Sequence, residues 1–137
     1  MQLLKLNTWH EFLYTVSMRD TDATGLVFHP KYLEILTAAR EDLAERLGMD
    51  LQSLNNRYGA MLVVHTMDVN FIGPARLRSE LMVKTAILKI KNAKITISHE
   101  VFSVGDGNRL ILRALMTYAY VDANTLLPMS IPLEFIS

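Results

Sequence analysis

"DTDATGLVFHPKYLEILTAAR", residues Asp20 to Arg40, decides the fold. Its second half opens an amphipathic helix that continues through "EDLAERLG". Tyr32, Ile35, Leu36, Ala39, Leu43 and Leu47 recur at helical spacing and form one apolar stripe. Pro30 suits the first helical position, where a missing N–H costs nothing. Gly48 suits the position just past the end. Arg40, Glu41, Asp42, Glu45 and Arg46 are expected on the wet side. The first half is unlike an ordinary loop: two carboxylates, a lone glycine and the apolar trio Leu26, Val27 and Phe28 lead into His29.

Outward from the helix, the pattern changes to strands. Residues from about Phe12 to Met18 form an expected first strand, and "DLQSLNNRYG" a short second helix. "AMLVVHTMDVNF" alternates Met61, Val63, His65, Met67, Val69 and Phe71 on one expected face. "GPAR" breaks it. "SELMVKTAILKIK" and "KITISHEVFSV" read as two strands that turn at Lys91 to Ala93. "GDGN", Gly105 to Asn108, is a hairpin signal. "RLILRALMTYAYV" is nearly apolar in both directions, as a strand near the centre of a sheet should be. The sum is an α+β unit: one long helix and five mostly antiparallel strands. A helix of about 18 residues is about 27 Å long and covers the middle of one sheet face. The uncovered face of the last strand predicts self-association.

Composition narrows the function. The chain has 137 residues, one expected domain over 1–137, with 14 Lys plus Arg against 14 Asp plus Glu. A balanced charge argues against nucleic acid, whose binding needs a basic surface. With no cysteine there is no thiol nucleophile, thiolate metal site or disulfide. No apolar run reaches the roughly 20 residues that span a bilayer, and "MQLLKLNTWHEF" lacks the basic-then-apolar order of a secretory signal. These features lead to the expectation of a soluble cytoplasmic protein.

The chemistry sits in the opening stretch. Asp22 lies seven residues before His29, at the mouth of the long helix. The first N–H groups of a helix lack intrahelical partners and together carry roughly half a positive charge. Such a terminus polarises a carbonyl oxygen, while a fixed aspartate acts on the carbon of the same carbonyl, by activating water or by direct attack. Gly25 lets the loop bend sharply, and Leu26, Val27 and Phe28 shield it from water. Asp and Thr are also ordinary turn residues, so the spacing alone leaves the structural reading open.

The stretch resembles the signature D-x-D-x-x-G-x-V-x-[FYH]-x-x-Y…R of hotdog-fold acyl-CoA thioesterases, among them the 4-hydroxybenzoyl-CoA thioesterases and the Tol-Pal-associated acyl-CoA thioesterases. "FHPKY" is similar to the "YHASY" of the latter. "MLVVHTMDVNFIGPARLRSEL" resembles the family's second strand and Pro-Ala-Arg-Leu corner, and "VDANTLLPMSIP" its usual ending. The resemblance implies a hotdog fold, one long helix wrapped by a five-stranded antiparallel sheet. It further implies homodimers that often form homotetramers, with substrate at the dimer interface. Asp22 then matches the catalytic nucleophile or general base. The His29 N–H matches the donor to the thioester oxygen, and the His29 imidazole matches a histidine that positions water or the leaving thiolate. Asp20 and Gly25 match loop-shaping positions; Tyr32 and Arg40 match helix positions read first as structural or interface residues. Gly25, Val27, Phe28, Tyr32 and His65 are the expected substrate-side set. Two departures stand out: family members often carry glycine or alanine where Thr24 stands, and "RLRSEL" replaces a common Gly-Asp after the proline corner.

Other candidates read more plainly. His65 shares a strand face with Val63 and Met67, as a core or pocket histidine does. His99 fits a core or a site equally well, and His10 lies near a loose terminus. Four scattered histidines without paired spacing give no expected metal site, and no cofactor is expected. Eight methionines are core filler first. Lys84, Lys89, Lys91 and Lys94 form either a solvated edge or a contact for the phosphates of coenzyme A, a role for which Arg76 and Arg78 compete. The preferred reading is an acyl- or aroyl-CoA thioesterase. An enzyme acting on acyl carrier protein thioesters is the close rival. A non-catalytic acyl-binding hotdog module is the third.

Overall fold

The computed structural model describes residues 4–135. Elements follow in the order β1 (His10–Thr15), α1 (His29–Leu47), α2 (Leu51–Tyr58), β2 (Ala60–Phe71), β3 (Glu80–Lys91), β4 (Lys94–Val104) and β5 (Arg109–Asp122). Single 3-10 turns occupy Met18–Asp20 and Leu133–Phe135. The five strands form one sheet in the order β1-β3-β4-β5-β2, with every neighbouring pair antiparallel. The long helix lies across one face, which is the hotdog arrangement.

The helix ends where its residues dictate. All six stripe residues are buried. Gly48 adopts φ 71° and its N–H returns to the last turn, a left-handed stop that a side chain would resist. The helix begins one residue earlier than expected, at His29, with Pro30 in its second position. A second helix does follow; the Asp50 side chain accepts the Ser53 N–H at its start and Gly59 closes it at φ 61°.

Beneath α1 the core divides in two. Tyr32, Ile35, Leu36 and Ala39 pack on Leu81, Val83, Val101 and Leu112. Leu43 and Leu47, with α2, pack on Ile87, Ile97, Met116 and Tyr118, closed by Phe135 from the tail. Between these clusters lies a polar seam. The His99 Nδ1 is 2.9 Å from the Thr85 Oγ1, and the Arg40 guanidinium sits 5.0 Å over the Tyr118 ring. Arg40 is therefore not on the wet side. Its long stem folds inward, where its charge meets the face of an aromatic ring.

Three further expectations need correction. The first strand runs His10–Thr15 rather than Phe12 to Met18. Val16 leaves it to bond Ser79, and Ser17 starts the 3-10 turn. In β2 the register slips between Val64 and Thr66. His65 is the extra residue, so the alternation reverses there. Leu62 and Val64 before the bulge, and Met67, Val69 and Phe71 after it, pair with core-facing residues of β5. Met61 and Val63 lie on the other side. Finally, the back of β5 is not a broad apolar face. Arg113 there is flanked by Glu100 and Asn70, and Leu115 by Ser98 and Asp68; an Arg113–Glu100 ion pair at 3.4 Å laces it. A run of uncovered apolar side chains lies on edge strand β2, where Val64, Met67, Phe71 and neighbouring Ile72 are each about half exposed (52, 51, 53 and 53%).

Candidate active site

The stretch Asp20 to Phe28 is a small hairpin. The Phe28 N–H donates to the Asp20 C=O at 2.9 Å, and the Asp22 N–H to the Leu26 C=O at 3.1 Å. A turn from Asp22 to Gly25 closes it, with the Gly25 N–H on the Asp22 C=O at 3.0 Å. Gly25 has φ 79°, a conformation that charges no steric penalty to glycine alone. The returning leg is fastened to the proline corner: the Val27 N–H donates to the Ala75 C=O at 2.9 Å, and Leu26 forms a bridge with Arg76.

The two aspartates occupy opposite environments. Asp20 is buried. Its Oδ2 accepts from the Tyr14 hydroxyl at 2.7 Å, the Ser17 N–H at 2.8 Å and the Ser17 hydroxyl at 3.1 Å. Burial alone would push its carboxyl up, but these donors outweigh it and hold it below the usual carboxylate value. On the other side of the bond, Tyr14 is pushed up to about 12, by burial first and then by its bond to Asp20. Asp22 is exposed at the hairpin tip. Its Oδ1 accepts from the Thr24 N–H at 2.8 Å and from the Thr24 hydroxyl. Those bonds, the hydroxyl's first, lower its pKa. The structure thus gives Asp20 to the scaffold and leaves Asp22 at the surface as an anion.

The helix mouth follows directly. Phe28 is the residue before the first turn and offers no side-chain cap. The Lys31 N–H turns back to the Phe28 C=O at 2.8 Å, and Pro30 has no N–H. The His29 N–H has no partner among the described residues. The positive end of the helix dipole is therefore left open at the His29 N–H. The His29 imidazole is exposed. It lies against the Phe28 ring (centroids 5.1 Å apart) and edge-on to Phe71 at 6.4 Å. Phe71 also meets Tyr32 at 5.8 Å. Phe28, His29 and Phe71 form an aromatic shelf beside the free amide, on the edge of β2.

A family model of the thioesterase-like superfamily matches residues 16–137. The chain belongs to that superfamily. Among curated relatives, the acyl-CoA thioesterase YbgC of Haemophilus influenzae is 30% identical over 130 residues, covering 94% of this chain and 93% of that one. A solved structure of a probable thioesterase from Bartonella henselae superposes with a TM-score of 0.82 at 25% identity, covering 91% of this chain and 100% of that one. A 4-hydroxybenzoyl-CoA thioesterase solved with 4-hydroxybenzoyl-CoA gives a TM-score of 0.85 at 18% identity, over 93% of this chain and 95% of that one. At that identity the last match speaks for the fold alone.

The remaining site residues are scattered around this superfamily scaffold. Val27 is buried in the core and Phe28 exposed. Tyr32 is buried and its hydroxyl accepts the Ala75 N–H at 3.0 Å, so that group is committed to the proline corner. His65 stands at the β2 bulge, which breaks the single face expected for it with Val63 and Met67. It lines a groove of about 530 Å³ with Thr66, Lys89, Lys91, Lys94 and Thr117. Phe71 was not singled out from the sequence. Its only signal was an aromatic at the end of a strand, immediately before the "IGPA" break.

Proposed function

We propose that this chain is an acyl-CoA thioesterase, hydrolysing a thioester to free acid and coenzyme A. The observations that carry the reading are an exposed, anionic Asp22 on the hairpin that leads into the helix and an uncapped helix mouth whose His29 N–H has no partner among the described residues. The thioester oxygen accepts the His29 N–H. Asp22 then acts on the carbonyl carbon in one of two ways. As a nucleophile, its oxygen adds to the carbon, the C–S bond breaks, the thiolate leaves, and water hydrolyses the resulting mixed anhydride. As a general base, it takes a proton from water, whose oxygen adds instead, and the thiolate leaves from that adduct. In both, negative charge develops on the carbonyl oxygen, where a fixed amide stabilises it.

Coenzyme A as the carrier is supported by the groove on the helix-free face. Lys89, Lys91 and Lys94 line it with His65 and the Thr66, Thr96 and Thr117 residues, and no acidic residue lines it. The competing cavity holds Arg76, Arg78 and Arg109, but also Glu80 and Asp106, and Arg109 is already paired with Asp106 at 2.8 Å. Phosphates favour the former. Among the described residues no helix is long and apolar enough to cross a membrane, and the reading places the protein in the cytoplasm, where acyl-CoA is made. The half-exposed apolar edge of β2 supports a homodimer joined strand to strand.

A panel of acyl-CoA, acyl-pantetheine and acyl-carrier-protein thioesters, assayed by thiol release, tests this. Acyl-CoA is expected to be the best donor, and Asp22→Asn to lose at least about a hundredfold in turnover with the fold intact. No thiol release from any donor, or wild-type rates in a folded Asp22→Asn, would remove the reading. Single turnover in labelled water separates the two mechanisms: oxygen label arriving in Asp22 marks the anhydride route.

A further inference from the structure

We propose that Thr24 is a positioning residue for Asp22: its hydroxyl holds one carboxylate oxygen still and leaves the other free to act on the thioester. The inference rests on the reading of Asp22 given above. The geometry is a relay. The Leu26 N–H donates to the Thr24 Oγ1 at 3.3 Å, which occupies a lone pair and aims the hydroxyl proton elsewhere. That proton goes to the Asp22 Oδ1, which the Thr24 N–H also engages at 2.8 Å. Oδ2 accepts no hydrogen bond from another described residue. Leu26 in turn is bound on both sides, by the Asp22 N–H and by the bridge to Arg76.

The consequence is a carboxylate tied, through Thr24 and Leu26, to the corner of the sheet. An exposed aspartate at a hairpin tip would otherwise sample several rotamers, and only a fraction of them would address a carbonyl at the helix mouth. Fixing one oxygen selects the conformer and assigns the chemistry to the other. The lowered Asp22 pKa agrees with this, since the Thr24 hydroxyl is its leading cause and no neighbouring charge contributes. A glycine or alanine at this position could supply the backbone N–H but not the hydroxyl, so the device belongs to this chain's own residue.

The test compares Thr24→Val, which keeps the branched shape without the hydroxyl, with Thr24→Ser, which keeps the hydroxyl. Thr24→Val is expected to lower kcat about tenfold with KM changed less than about twofold, and Thr24→Ser to restore it. The Asp22 carboxyl, followed by carbon-13 titration, should titrate at higher pH in Thr24→Val than in wild type. In the Asp22→Asn background, Thr24→Val should cost nothing further, because it acts only through Asp22. Wild-type kcat in a folded Thr24→Val would overturn the proposal, as would an equal loss with and without Asp22. Wild-type turnover in Asp22→Asn would remove the parent reading and this one together; a large loss there beside an unaffected Thr24→Val would remove this one alone.

Discussion

The Tyr32 hydroxyl accepts the Ala75 N–H at 3.0 Å, while the Ala75 C=O accepts the Val27 N–H at 2.9 Å. One fully buried residue at the proline corner thus clamps both the loop that carries Asp22 and the first turn of α1. The relative position of carboxylate and helix mouth is set by a third segment, more than forty residues further along the chain.

Tyr32→Phe leaves the buried Ala75 N–H without a partner. The expected cost is about 1 to 3 kcal/mol in denaturant unfolding, with an accompanying fall in turnover as the corner loosens. Unchanged stability would mean that the corner accommodates the unpaired group by another route.

Asp20 and Asp22 should fail differently. Asp20→Asn removes the charge from a buried site with three donors and is expected to destabilise by about 1.5 to 3 kcal/mol. Asp22→Asn, at an exposed tip, should leave the unfolding curve almost unmoved while abolishing most activity. Equal effects of both substitutions on stability would contradict the division between scaffold and chemistry.

His99 predicts an acid-sensitive fold. It is fully buried beside Thr85, and burial, with a contribution from the Arg40 charge, pushes its pKa down to about 4. The unfolded chain binds this proton near pH 6.5, so between these values the unfolded state holds more protons and stability falls as pH falls. Lowering pH from about 6.5 to about 5 should cost about 1.6 kcal/mol from this group. Urea midpoints at the two pH values check it; His99→Gln should flatten the dependence. The depressed Asp20 carboxyl adds a separate loss only at lower pH, as the solution falls through its own folded pKa.

Edge strand β2 predicts a concentration-dependent assembly. Met67→Lys places a charge among the half-exposed apolar side chains of that edge. The variant is expected to sediment as a monomer, where the wild type sediments as a dimer or larger. A monomeric wild type at micromolar concentration would refute the strand-to-strand homodimer.

Much of this molecule is legible along one dimension. Helical spacing found all six residues that α1 buries, the turn expected at Lys91 to Ala93 closes β3 on β4 through Asn92 and Ala93, and Gly105 to Asn108 falls between strands as its composition indicates. Periodicity and turn chemistry are local, so a sequence carries them openly. The resemblance of Asp20 to Arg40 to known thioesterases likewise agrees with the family match. What escaped was non-local. The bulge at His65 exchanges the faces of half a strand, yet nothing in "VVHTM" announces an extra residue, because a bulge is defined by the partner strand. Arg40 reads as a surface charge until Tyr118, from the far end of the chain, gives it a ring to cover.

The sequence by itself determined the elements and their order, since these follow from spacing and side-chain type, and it offered Asp22 and His29 as the pair for the proposed chemistry. Only the tertiary structure decided which aspartate is buried and which is exposed, that Tyr32 is bolted to Ala75, and that a run of half-exposed apolar side chains lies on β2. Those outcomes depend on which groups are desolvated together. Desolvation is a property of packing across the sheet, and a single line of residues does not contain it.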